Sequence, residues 1–173
     1  MRVKALFVAV LTAIAAPPAL APRPALAHGD QVTMKEAFTP GTIVVRTSER
    51  RLYYVTGFGG EAIRYPVGVG RIGKQWAGTS YVSGKYRHPA WSPPPAVLHD
   101  SPHMARLIPG GSPRNPMGVA AMTIGNGEYA IHGTNNPSSI GHFVSYGCIR
   151  MYNADISDLF NRVGVGTRVV VTR

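Results

Sequence analysis

His132 and Cys148 are the residues of this chain whose types and spacing could do covalent chemistry. A thiol used for acyl transfer needs a base to take its proton, N–H donors for the oxyanion, and a group that orients the base. Two runs offer each part: Ile131-His132-Gly133-Thr134, and Val144-Ser145-Tyr146-Gly147-Cys148-Ile149-Arg150-Met151. His132 ends one extended run and Cys148 opens another sixteen positions later, so a loop returning through Asn135, Pro137 and Gly141 can bring imidazole within reach of sulfur. Gly147 frees the backbone just before the sulfur, which makes the amides of Tyr146, Gly147 and Cys148 the expected oxyanion donors. No Asp or Glu lies between His132 and Cys148, so the orienting partner is a distant residue or a backbone carbonyl, with that of Gly133 nearest. Ser145 is expected to position the cysteine loop through hydrogen bonds, with substrate contact as its other reading.

The single cysteine excludes any internal disulfide and leaves a lone thiol that is either buried filler or a reactive group. His132, His142 and Cys148 are all zinc-ligand types, but their spacing matches no familiar zinc pattern, and neither metal nor cofactor is expected. Trp76, Tyr81 and Trp91 are expected to fill the core, and Asn115, before Pro116, to orient the strand feeding His132.

The elements that must position these residues are mainly strands. Extended, β-branched or alternating runs predict strands at 42–47 and 51–55 as a hairpin, then at 81–85, 119–124, 129–132 and 167–172. The run 63–69 contains Pro66 and reads as an edge strand or bulge. One helix is expected at 153–162, with Asn153 capping it, Asp155 and Asp158 near the positive end of its dipole, and Ile156, Leu159 and Phe160 on one apolar face. Residues 86–117 hold eight of the fifteen prolines and no periodicity, so they read as a long irregular loop that serves as a lid or binding surface.

Arg2 and Lys4, the apolar run 5–16 and Ala25-Leu26-Ala27 form an export-signal pattern, with Ala19-Leu20-Ala21 as the earlier alternative cut. The run is too short for a permanent anchor, so an exported chain without a stable membrane anchor is expected. The organisation read from the sequence is a signal peptide at 1–27, a short lead-in at 28–41 and one domain at 42–173. The signal residues account for three of the formal +10 charges, which leaves +7 on the remainder. Basic residues are scattered rather than blocked or interleaved with aromatics, which argues against a nucleic-acid partner.

The pairing of His132-Gly133-Thr134 with Ser145-Tyr146-Gly147-Cys148 resembles the motif of the L,D-transpeptidase catalytic-domain (YkuD) family. The resemblance extends through Tyr65-Pro66-Val67-Gly68-Val69-Gly70 and through 110–118, and covers roughly 42–173. It implies a mainly β, sandwich-like domain of mixed sheets with one short helix after the cysteine and a long Pro/Gly-rich loop. It also implies a cysteine acyltransferase in which Cys148 attacks the L,D-peptide bond of a peptidoglycan stem tetrapeptide, releases D-alanine, and passes the acyl group to an amine. That amine belongs to another stem or to an envelope protein. His132 maps to the base, and Arg150 to the residue beside the donor's carboxylates. Tyr146 stands where the family has a second motif histidine; it can donate a hydrogen bond but carries no positive charge. Two alternatives share the fold: a carboxypeptidase or wall-protein-releasing hydrolase that sends the same thioester to water, and a non-catalytic wall-binding module.

Overall fold

A computed structural model describes residues 29–173. The expected signal segment and its cleavage site lie outside the described residues. Strands β1 (Asp30–Thr33), β2 (Ile43–Arg46), β3 (Arg51–Val55), β4 (Glu61–Pro66), β5 (Val69–Gly70) and β6 (Gly78–Arg87) precede helix α1 (Pro95–Asp100). Strands β7 (Ala120–Ile124) and β8 (Tyr129–His132), a 3-10 turn at Pro137–Ser139, β9 (Phe143–Ser145), β10 (Ile149–Arg150), helix α2 (Asn153–Arg162) and β11 (Arg168–Thr172) follow.

Nine strands form one mixed sheet in the order β1-β4-β3-β2-β11-β6-β7-β8-β10, and β5 pairs with β9 apart from it. Pairs β11–β2 and β10–β8 are parallel, and the other pairs of the large sheet are antiparallel. β6 joins the two halves: residues 78–81 pair with β11, and those from Val82 onward pair with β7 across a register shift. A bulge there lets a long strand change layer.

Both halves bury side chains in one core: Ile43, Val45, Leu52 and Tyr65 from the first, and Val82, Met122, Ile131 and Ile149 from the second. Ile156, Leu159 and Phe160 of α2 complete it, which is the apolar face that the spacing in the sequence predicts. Val44 points the other way into a smaller cluster with Met34, Tyr53, Val55 and Ala62, which explains why β2 is apolar at consecutive positions: both of its faces are covered.

The mainly β architecture and the strands expected at 42–47, 51–55, 81–85, 119–124, 129–132 and 167–172 are present as β2, β3, β6, β7, β8 and β11. Three features differ from expectation. β4 is not an edge, because β1, formed within the lead-in, pairs with it from Asp30↔Arg64 to Thr33↔Glu61. Pro66 is tolerated because it is the last residue of β4, where a missing N–H interrupts no ladder. The loop 86–117 is not wholly irregular: β6 continues to Arg87, and Pro95 starts α1, since proline at the first helical position has its φ already set and loses no intrahelical bond. Helix α2 spans the expected residues, but Tyr152 occupies the cap position and no side chain caps it. Asn153 Oδ1 instead accepts the Thr134 N–H at 3.0 Å. Asp158, beyond the first turn, accepts from Tyr65 and Arg162 rather than serving the dipole.

Candidate functional site

β8 and β10 lie side by side with Arg150 opposite His132. His132 is the last residue of β8, and Cys148 immediately precedes β10, so adjacent strands carry imidazole and thiol to the same rim. Both side chains line one cleft of about 70 Å³ together with Ser145, Tyr146 and Arg150. Trp91, Pro94, Val97, Pro116 and Met117, all from the proline-rich segment, line its other side. A roomier hollow of about 380 Å³ beside Glu36, Arg46 and Glu49 is lined by no thiol and no imidazole, so size does not identify the reactive site.

His132 is 4% exposed, and its Nδ1 lies 2.6 Å from the Gly133 carbonyl oxygen. A carbonyl only accepts, so the neutral ring carries its proton on Nδ1 and keeps the Nε2 lone pair available. Burial, reinforced by the Arg150 charge, lowers the imidazole pKa to about 4, although the Gly133 and Pro116 carbonyls favour the charged form. His132 is therefore an uncharged imidazole at neutral pH. Burial pushes the Cys148 thiol up, opposed by the Ala130 backbone N–H and the Arg150 guanidinium. The resting pair is a neutral thiol and a neutral imidazole, which suits proton transfer during attack rather than a standing ion pair.

The turn carrying Cys148 is held from both sides. Ser145 Oγ donates to the Cys148 carbonyl at 2.6 Å and accepts the Gly147 N–H at 3.1 Å. Ser145 thus holds the cysteine loop, as its first reading had it, and the Gly147 amide, expected among the oxyanion donors, is committed to Ser145. Tyr146 and Cys148 supply the remaining candidate oxyanion amides. Outside the turn, Trp76 Nε1 donates to the Gly147 carbonyl at 3.1 Å, and Trp76 stacks on Tyr129 with ring centroids 5.2 Å apart. Gly147 has φ +125°, and a Cβ there would lie 2.4 Å from Tyr129 Cε1. The glycine thus makes room for a protein ring as well as freeing the backbone of the turn.

Arg150 is half-buried, and its buried Nε finds no hydrogen-bond partner among the described residues. Leaving a guanidinium edge dry and unpaired is unfavourable, and the group presents planar donors suited to a carboxylate. The Tyr146 ring lies 4.1 Å from the Arg71 guanidinium carbon, and its hydroxyl donates to Asp100 at the end of α1. His142 is exposed and lines no part of the cleft.

Of the aromatics assigned to the core, Trp91 lines the cleft, Trp76 braces the turn and Tyr81 is 55% exposed. Asn115 does more than orient a strand: its Nδ2 donates to the Pro89 and Pro109 carbonyls at 2.8 and 3.0 Å, tying the ends of the proline-rich segment together. Trp76, Tyr129, Arg71 and Asp100 carry no motif signal; strand pairing and loop docking bring them to the site.

A family model described as the L,D-transpeptidase catalytic domain, YkuD, matches residues 40–171. The Escherichia coli (strain K12) protein named probable L,D-transpeptidase YbiS is 43% identical over 136 residues, covering 73% of this chain and 43% of its own length. The ErfK/SrfK protein of the same strain, also named a probable L,D-transpeptidase, is 39% identical over 155 residues, covering 83% of this chain and 49% of its own. The chain thus spans about half the length of these curated relatives. The crystal structure of L,D-transpeptidase 3 from Mycobacterium tuberculosis aligns with a TM-score of 0.58 at 19% identity, over 76% of this chain and 60% of that one. The catalytic domain from the Enterococcus faecium L,D-transpeptidase gives 0.57 at 20% identity, over 80% and 98%. At these identities the two structures speak for the fold, while the family match and the E. coli relatives speak for descent. The chain belongs to the L,D-transpeptidase catalytic-domain (YkuD) family.

Proposed function

We propose that the protein is an exported peptidoglycan L,D-transpeptidase that works in the cell envelope with Cys148 as nucleophile and His132 as base. The observation that carries this reading is the shared cleft. It joins a lone thiol, an imidazole kept neutral with its proton on the far nitrogen, and a half-buried guanidinium whose Nε is unpaired.

Nε2 of His132 takes the thiol proton as sulfur bonds to the carbonyl carbon of the L,D-peptide bond of a stem tetrapeptide. The amides of Tyr146 and Cys148 receive the oxyanion. Each such donor contributes about 3 kcal/mol in comparable sites. Collapse of the tetrahedral species breaks the C–N bond, and the imidazolium returns its proton to the departing D-alanine amine. The acyl group remains as a thioester, with Arg150 paired to a carboxylate of the donor. An amine from a second stem or an envelope protein then attacks, forms an amide and releases the thiol. Water in place of the amine gives the carboxypeptidase or wall-releasing outcome by the same steps.

Incubation of the purified protein with tetrapeptide muropeptides is expected to release D-alanine and yield a cross-linked or exchanged product. Cys148→Ala is expected to abolish both and to prevent the acyl adduct that a carbapenem forms, read by intact mass. Full turnover by that variant would refute the mechanism. Product analysis with and without an added amine distinguishes transfer from hydrolysis.

A further inference from the structure

The segment between β6 and β7 has a fixed neck and a lightly held tip. At the neck, Trp91 and Ile108 exchange backbone hydrogen bonds of 2.9 and 2.8 Å. Asn115, 1% exposed, clamps the Pro89 and Pro109 carbonyls just outside that bridge. At the tip, α1 has no buried residue, so no core contact holds it down. Pro94 and Val97 of the tip nevertheless sit against the cleft that contains Cys148.

The tip is tied to the rim through one carboxylate. Asp100 accepts from the Tyr146 hydroxyl and, at 2.7 Å, from Arg71 Nη2. His99 Nδ1 stands 3.0 Å from its other oxygen. Arg71 and Tyr146 are themselves one unit: the Arg71 N–H donates to the Ser145 carbonyl at 2.9 Å, β5 pairs with β9, and the guanidinium stacks on the phenol ring. Asp100 is the tip's contribution to an otherwise rim-based cluster.

The cleft of about 70 Å³ runs beneath the tip, with Pro94 and Val97 on one side and Cys148 and Arg150 on the other. A donor at the sulfur lies against the tip, so the position of the tip sets access to the thiol.

We propose that Tyr146, Asp100 and Arg71 form a latch that holds the α1 tip over Cys148, with Tyr146 serving as a positioning residue for the tip rather than as a contact of the thiol. The proposal rests on the acyl-transfer reading for its purpose, since the donor must pass beneath the tip, but its geometry stands apart from that reading. The latch is solvent-exposed, so it opens readily and closes again over the thioester.

Cys148 is the only cysteine, so thiol labelling of the full chain reports on this site alone. The test compares alkylation by iodoacetamide with that by a bulky fluorescein maleimide, each followed by intact mass. The ratio of the two rates cancels any change in thiolate fraction and reads access. Tyr146→Phe and Asp100→Ala, both with unchanged circular dichroism, are each expected to raise the bulky-to-small ratio about threefold to tenfold. The double variant is expected to add little further, because either change opens the same latch. An unchanged ratio in both single variants overturns the proposal. So does loss of D-alanine release in Tyr146→Phe with an unchanged ratio, which would place Tyr146 on the substrate. Should Cys148→Ala retain turnover, the acyl-transfer reading fails while the labelling ratio still decides the latch.

Discussion

A histidine enclosed by protein, with Nδ1 held against a carbonyl, stays neutral at rest and keeps one ring nitrogen unprotonated, and its lowered pKa makes that nitrogen a weaker proton acceptor. The folded-state pKa of His132 is about 4, below the ordinary 6.5. As pH falls between those values the unfolded chain takes up this proton before the native state does, so folding stability is lost over that window. The loss from this group is about 3 kcal/mol once pH is below both values. Denaturant midpoints followed from neutral pH to about pH 4 are expected to fall more steeply for the wild type than for His132→Gln. The acid limb of kcat/KM is expected near pH 4 rather than near the ordinary imidazole value. Arg150 carries a different cost, a buried guanidinium Nε left without a partner, which the proposed reading assigns to a donor carboxylate. Arg150→Met, which fills the same space without a buried charge, is expected to stabilise the protein by about 1 kcal/mol and to lower kcat/KM at least tenfold. Calorimetry together with D-alanine release reads both arms, and a variant that is less stable yet active would contradict this role.

At the scale of elements, adjacent β8 and β10 bring base and sulfur to one rim, but the turn between β9 and β10 sets the direction of the sulfur and its amides. Three hydrogen bonds fix that turn, two through Ser145 Oγ and one from Trp76 Nε1 to the Gly147 carbonyl. In a trans peptide, fixing a carbonyl also fixes the N–H that follows, so Trp76 orients the Cys148 amide without touching substrate. Trp76→Phe keeps an aromatic ring for Tyr129 and removes the donor. It is expected to lower kcat about tenfold with KM nearly unchanged, at a stability cost of about 1 kcal/mol. A rise in KM with kcat intact would show instead that Trp76 faces the ligand.

At the scale of the whole molecule, a second apolar cluster under the segment before β2 explains why the fold extends upstream of the expected domain start. Met34 is 7% exposed among Val44, Tyr53, Val55 and Ala62, with Val32 and Phe38 packed alongside. β1 also pairs the outer edge of β4. Deleting residues 29–39 would open both the cluster and that edge. The truncated protein is expected to melt at lower temperature and to self-associate, because an unpaired strand beside exposed apolar side chains templates pairing with another chain. Differential scanning calorimetry and light scattering check this, and an unchanged melt with a monodisperse monomer would show that β1 is dispensable.

The reading from sequence reached what is written in local pattern. β-branched runs predict β2, β3 and β11, and spacing predicts the buried face of α2, because these signals depend only on residues a few positions apart. That His132 and Cys148 reach one cleft was legible for a similar reason, since only sixteen positions separate them, although β9 and a 3-10 turn fill that interval. What the pattern could not contain was decided by distant segments meeting. β4 looked like an edge because β1, which pairs with its residues 61–64, comes from a stretch with no strong strand signal, and Asn153 looked like a cap until Thr134 reached its side chain. The Gly147 amide looked available to an oxyanion until it bonded to Ser145 Oγ. Trp76 and Gly147 are 71 positions apart, as are many contacts that a folded sheet creates and no spacing rule anticipates. The sequence by itself determined which groups can react and the strands that carry them, because residue type and short-range periodicity are local properties. The protonation state of the base, the brace behind the turn and the tip above the cleft exist only in the tertiary structure, where burial and long-range contact set the energy of each group.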